Sequence, residues 1–157
     1  MFENNAIKIY GISQNPDTKN YIIVLQDRYC KSCGDQYANI CYEWCKPCQI
    51  NNLRENYANL TSGNEKIDNF IQEMQLKIDS YNDMIVEWIQ YNQFDNIKEI
   101  IKSDFTTVYS ATWIDGPLEY VDYEWKRIPY KKVALKCLNN LQSINEFLKE
   151  VWNLSWV

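Results

Sequence analysis

Two Cys-x-x-Cys pairs in a chain that contains no histidine constrain this sequence more than any other feature. Cys30-Lys31-Ser32-Cys33 is followed, after a gap of eleven residues, by Cys45-Lys46-Pro47-Cys48. Each pair can turn two thiolates to one side, and two pairs together complete a tetrahedral site with metal–sulfur bonds of about 2.3 Å. With histidine absent, a zinc ion here would be held by Cys30, Cys33, Cys45 and Cys48 alone. Gly34 directly after the first pair suits a knuckle, where an unhindered backbone lets amides approach a thiolate. The spacing predicts a zinc-ribbon-like module over residues 30–50, with a structural rather than catalytic ion, because a closed four-cysteine site leaves no open coordination position. Cys41 is read as a spare or packing thiol, and Cys137 as a small core residue.

The remaining composition is that of a packed chain: 157 residues, 46% hydrophobic and 15% aromatic. A net charge of −5 disfavours nucleic acid, whose phosphates would be repelled on average. Around the cysteines, Lys31, Lys46 and Arg54 are balanced by Asp35, Glu43 and Glu55, which favours a protein contact over a nucleic-acid one. Met1-Phe2-Glu3-Asn4-Asn5 has none of the basic-then-apolar design of an export signal, and the longest clean apolar run, Tyr21 to Leu25, is far too short to cross a bilayer. A cytoplasmic chain without membrane contact is expected, and reduced cysteines there point to metal rather than disulfides.

The chain divides into four segments. Residues 1–29 read as a β-hairpin, with Ile7–Tyr10 and Tyr21–Leu25 flanking the breaker Asn15-Pro16-Asp17. Residues 30–50 are the cysteine module, and Asn51–Asn64 reads as a polar linker. Residues 62–90 read as one long amphipathic helix. Ser62-Gly63-Asn64-Glu65 has capping-box spacing, and Ile67, Phe70, Ile71, Met74, Ile78, Tyr81, Ile85 and Trp88 form a stripe in steps of three and four. That stripe either packs on the chain's own sheet or makes a homodimer through the 62–90 helix; at about three heptads, packing is favoured. Residues 91–157 read as short strands at Ile97–Ile100, Thr107–Trp113 and Lys132–Leu138, a polar insertion over Asp115–Lys131, and a short helix over Ile144–Val151. The fold class is α+β.

In this last segment Val133-Ala134-Leu135-Lys136 resembles the strand that carries the phosphate-pairing lysine of protein kinases. Ile97–Ile100 and Phe105–Tyr109 stand where kinases place their first two strands, and Glu146–Glu150 stands where they place helix αC, with Glu150 fourteen residues after Lys136. The region from Trp88 to Val151 thus resembles a kinase N-terminal lobe, and more narrowly the expanded kinase-like proteins of mycorrhizal fungi that carry a cysteine-rich segment and a helix before it. The resemblance implies that Lys136 would pair with ATP phosphates, Glu150 would orient it, and Val108 and Ala134 would flank the adenine. Tyr10–Ser13 and Tyr21–Gln26 also resemble the kinase strands that lead to the hinge. They are out of order here, and an extra pair of strands beside the 94–138 sheet is expected.

The departures decide the activity. Where the family has a glycine-rich loop, this chain has Ile101-Lys102-Ser103-Asp104 and then Thr106, so close backbone approach to phosphates is obstructed. The sequence contains no His-Arg-Asp and no Asp-Phe-Gly, and ends seven residues after Glu150. The expectation is an inactive pseudokinase fragment with degraded ATP binding and a protein-interaction role. The alternative is a zinc-stabilised interaction module that carries the kinase-like part as a passenger.

Overall fold

The computed structural model describes residues 7–57, 61–139 and 143–154, so Met1–Asn5 lie outside the described part. The chain is mixed α and β, with three α-helices and three small antiparallel sheets among the described residues. No described helix is long and apolar enough to cross a membrane.

Strands β1 (Ile9–Gln14) and β2 (Tyr21–Leu25) form the first sheet, an isolated hairpin. Its connection is set by Asn15, whose side-chain oxygen accepts from the amides of Asp17 and Thr18 at 2.9 and 3.0 Å. The hairpin does not join the later strands, so the expected five-stranded sheet is not formed. Helix α1 (Lys46–Tyr57) then occupies the first half of the stretch read as a linker. Its asparagines are weak helix formers, but Ile50, Leu53 and Tyr57 are spaced to share one face, and burial of that face overrides propensity.

Helix α2 runs over Glu65–Leu76 and stops well short of residue 90. Its N-cap is Asn64, not Ser62: the Asn64 side chain accepts from the amides of Lys66 and Ile67. Ser62 and Thr61 instead bond the Asp68 carboxylate from the preceding turn. The hydroxyls of Ser62 and Thr61 hold that carboxyl below its usual range. Beyond Leu76, the Asp83 carboxylate accepts from the amides of Asp79 and Ser80 at 2.8 and 2.9 Å, fixing a turn where the helix would have continued. Ile78 is buried, and Tyr81 and Ile85 pack beside it, in a core outside any helical stripe. The surface for a helix-mediated homodimer therefore shrinks to α2 itself, where Ile67, Phe70, Ile71 and Met74 are half-buried.

Strands β3 (Phe94–Lys102), β4 (Thr106–Trp113) and β7 (Lys131–Leu138) make a three-stranded sheet in the order β3-β4-β7. The β4–β7 register is unbroken from Thr106 opposite Leu138 to Trp113 opposite Lys131, whereas β3 is irregular at two places. The segment read as a polar insertion is a second hairpin, β5 (Leu118–Val121) and β6 (Glu124–Arg127). Asp122 and Tyr123 at its tip both have positive φ, 53° and 68°, the signature of a two-residue turn matched to strand twist. Gly116 enters this hairpin at φ 69°, and a Cβ there would lie 1.7 Å from the Ile128 carbonyl oxygen. Helix α3 (Ile144–Leu154) contacts α2, with Phe70 edge-on to Trp152 and the Lys77 ammonium 3.5 Å from the Trp152 ring centre.

The buried core joins segments far apart in sequence. Trp44, Ile50, Leu53 and Ile78 pack with Leu118 and Trp125 from the β5–β6 hairpin. Trp44 is fully buried and meets the rings of Tyr120 and Trp125 edge-on, at 5.0 and 5.6 Å. Burial of each such aliphatic side chain contributes roughly 1.5–3 kcal/mol. Arg127 clamps the far side, pairing bidentately with Glu87 at 2.5 and 2.6 Å and donating to the Gly116 carbonyl at 2.8 Å.

Candidate metal centre

Cys30 directly follows a short antiparallel bridge, Tyr29 opposite Gln36, that folds the first Cys-x-x-Cys pair into a knuckle. The Cys30 amide donates to the Asp35 carbonyl at 2.7 Å, and the Gly34 amide returns to the Cys30 carbonyl at 2.8 Å. Gly34 has φ +81°, a conformation side chains rarely adopt, which explains glycine at this position. The second pair is built differently. A bridge between Asn39 and Trp44 delivers Cys45 to the start of α1, and Cys48 follows in the helix's first turn.

These two supports bring the predicted ligands together. The sulfurs of Cys30, Cys33, Cys45 and Cys48 all lie within 4.8 Å of one another. The Cys30–Cys48 sulfurs are 3.7 Å apart and the Cys33–Cys45 sulfurs 3.5 Å. A regular tetrahedron with metal–sulfur bonds near 2.3 Å has sulfur–sulfur edges of about 3.8 Å, so the spacing suits a single metal ion such as zinc. A disulfide would need sulfurs about 2.0 Å apart, and all four cysteines are free thiols. Cys30 and Cys45 are buried, Cys48 is half-buried and Cys33 is exposed.

The electrostatics are those of a cluster ready for a cation. Burial opposes ionisation of Cys30, but the amides of Cys33 and Ser32 and the neighbouring thiols of Cys48 and Cys45 outweigh it and bring its pKa down to about 7. Burial pushes Cys48 and Cys45 up; hydrogen bonding with Cys33 raises both further, and that with Cys30 does the same. One thiolate is favourable in this space and a second is resisted, a conflict that a divalent ion bound by all four would remove.

Residues outside the predicted ligand set tie this centre to the rest of the fold. Trp44, adjacent to Cys45, donates its indole N–H to the Asp79 carbonyl at 3.2 Å. Lys46, inside the second pair, forms an ion pair with the Asp79 carboxylate. Gln49, one residue beyond Cys48, donates to the Tyr120 hydroxyl at 3.2 Å, and that hydroxyl donates to the Tyr42 carbonyl at 3.4 Å. The one available signal was a tryptophan beside a ligand, since so large an apolar side chain has to be buried somewhere. Cys41 is exposed and outside the sulfur group. Cys137 is exposed on β7 and is not a core residue.

The residues assigned by the kinase resemblance lie elsewhere, on the three-stranded sheet. Val108 is opposite Lys136 and Ser110 opposite Ala134, so Val108, Ala134 and Lys136 share one face. The Lys136 ammonium meets the Glu150 carboxylate of α3 at 2.9 Å, with both side chains partly exposed. The loop between β3 and β4 is closed on itself: the Ser103 amide and hydroxyl donate to the Thr106 carbonyl at 2.9 and 3.0 Å, and the Thr106 amide donates to the Ser103 hydroxyl at 3.1 Å. These amides are engaged within the turn instead of pointing outward as a phosphate cradle would require.

No family model, no curated protein and no solved structure matches the chain.

Proposed function

We propose that this protein is a zinc-stabilised protein-interaction module, in which one structural ion holds a platform assembled from the cysteine knuckles, the β5–β6 hairpin and the segment after α2. The observation that carries this reading is the convergence of the four cysteine sulfurs within 4.8 Å of one another, with two of the pairs at 3.5 and 3.7 Å. An all-thiolate tetrahedral site suits zinc or iron, and a closed one serves stability in place of catalysis. Cys30, Cys33, Cys45 and Cys48 would hold the ion, and its binding free energy would be folding free energy for the residues around them. The role as a partner-binding platform is supported by the acidic net charge and by locally balanced charges, which favour protein over nucleic acid.

The test is metal content after purification without chelator. One equivalent of zinc per chain is expected, and Cys45→Ser should abolish it. Iron in its place would retain the structural role and refute the identity of the ion; less than half an equivalent of either metal would end the reading.

A second reading concerns the sheet, and the Lys136–Glu150 ion pair favours it. A strand lysine held by a helix glutamate, with Val108 and Ala134 on the same face, is the arrangement expected of a kinase N-terminal lobe. On this reading the segment is a pseudokinase fragment with degraded nucleotide binding, since its β3–β4 turn is closed by Ser103 and Thr106. Heating with Mg-ATP should leave the melting temperature unchanged. A clear rise that Lys136→Met abolishes would restore a nucleotide-binding role.

A further inference from the structure

Between the segment after α2 and strand β5 lies an open cavity of about 470 Å³, within the range of about 300–1,000 Å³ in which proteins seat ligand groups. Its floor is the core: Leu118 is buried, and Tyr81, Ile85 and Tyr120 pack half-buried around that core. Met84 lines it too and is 81% exposed, a flexible thioether able to mould to what it meets. The charged side chains lining the cavity are Asp83 and Glu119, with no lysine or arginine among them. Asp83 accepts from the Asp79 and Ser80 amides through one oxygen and makes no ion pair among the described residues. Glu119 has a loose one, to Lys131 at 3.6 Å, with both side chains about half exposed. Burial, and then the Glu43 carboxylate, push the Tyr120 hydroxyl up to about 12, so negative potential reaches the inner wall as well. The walls are fixed from the metal centre: Tyr81 stacks on Tyr42 at 3.7 Å, and Tyr120 bonds Gln49 and the Tyr42 carbonyl.

We propose, resting on the reading of the chain as a metal-stabilised interaction module, that this cavity seats a cationic peptide segment of a partner protein. An aliphatic or aromatic side chain of the partner packs on Leu118, Ile85 and Met84, and a lysine or arginine beside it faces Asp83 and Glu119. An apolar segment without a cation would strip water from two carboxylates and return nothing. An acidic segment would meet like charge on every side of the site. A second copy of this chain carries a net charge of −5 and is repelled on average, as is nucleic acid. The exposed Asn82 carboxamide beside Asp83 offers one donor and one acceptor, the pair that a passing peptide unit requires. Because the carboxylates lie partly exposed, their attraction is modest and screened by salt, and the apolar anchor supplies most of the affinity.

The experiment is magnetic resonance of the full metal-loaded chain with its three methionines labelled at the methyl, so that Met84 reports on the cavity and Met74 on α2 serves as control. The probes are blocked tripeptides with leucine, phenylalanine or tryptophan between two arginines, and their counterparts with glutamate or glutamine in place of arginine. A saturable Met84 shift is expected with at least one arginine peptide, with a dissociation constant of roughly 0.1–5 mM and a still Met74. Glutamine peptides should bind about fivefold more weakly and glutamate peptides not at all. Asp83→Asn keeps an acceptor for the turn amides and should weaken the arginine peptides about two- to fivefold, leaving the glutamine peptides unchanged. Glu119→Lys, at an exposed position, should weaken the arginine peptides further and admit the glutamate ones. No Met84 shift with any arginine peptide up to about 10 mM overturns the proposal. So does equal binding of the glutamate peptides, or butylguanidinium binding as tightly as the peptides, which would make this a small-cation site. A Met84 shift that follows protein concentration without peptide would make a second copy the occupant and overturn it too. Zinc content of the same sample separates the two readings: one equivalent without peptide binding removes the cavity's role alone, and peptide binding without metal removes the metal centre alone.

Discussion

Trp44→Ala tests whether the metal centre and the core are one cooperative unit. The indole is fully buried beside Cys45, edge-on to Tyr120 and Trp125, and donates to the Asp79 carbonyl. Truncating a buried aromatic to alanine costs about 3–5 kcal/mol, and the abandoned carbonyl adds roughly 1 kcal/mol where water cannot replace the donor. A total near 4–6 kcal/mol approaches the whole stability of a small domain, about 5–15 kcal/mol. On the proposed reading the ion binds the folded knuckles and not the unfolded chain, so a loss of about 4 kcal/mol in a unit that folds only with metal should appear as roughly 10³-fold weaker zinc affinity. Trp44→Phe keeps most of the volume and should cost about 1–2 kcal/mol. Urea unfolding of the metal-loaded chain, followed in parallel by circular dichroism and by zinc release to an indicator, measures both quantities. The reasoning fails if Trp44→Ala costs under about 1.5 kcal/mol. It fails equally if stability falls while zinc affinity stays put, since the centre and the core would then be separate.

Other perturbations probe separate parts of the structure. Glu87→Ala leaves Arg127 facing an empty partner and should cost about 3 kcal/mol, while replacing both residues by methionine should recover most of it, as a double-mutant cycle in urea will show. Tyr123→Gly relieves a positive φ at the hairpin tip and should stabilise by about 1 kcal/mol in the same assay. Gly116→Ala drives a Cβ into the Ile128 carbonyl and should unfold the β5–β6 hairpin, read from loss of near-ultraviolet tryptophan dichroism. The pH dependence has a definite sign. Cys30 is held below the ordinary thiol value of 9.0, at about 7, so its contribution to the metal-free fold is present above the ordinary value and lost as pH falls through 7. Cys45 and Cys48 are raised and give up protons only to a cation, so zinc affinity should climb steeply between about pH 6 and pH 8 in competition titrations. A flat profile would show that these thiols are not the ligands.

What the amino-acid sequence determined by itself was local chemistry. Cys-x-x-Cys spacing with Gly34 can place two thiolates on one side of a turn, and the absence of histidine left the cysteines as the candidate donors. β-Branched and aromatic runs located β2, β4 and β7 to within a residue, while the strand expected at Ile7–Tyr10 overlaps β1 only at Ile9 and Tyr10. Tertiary structure decided where order stops and what is inside. The stripe from Ile67 to Trp88 keeps helical spacing throughout, yet the turn at Asp79–Asp83 ends the helix and sends Ile78 to a core it shares with Trp44. Leu118 and Trp125 lay in a stretch that looked polar because charged neighbours outnumber them, and their burial depends on an indole more than seventy residues earlier in the chain. Periodicity reports which residues can share a face. Which face is covered depends on partners that only the folded chain brings within reach.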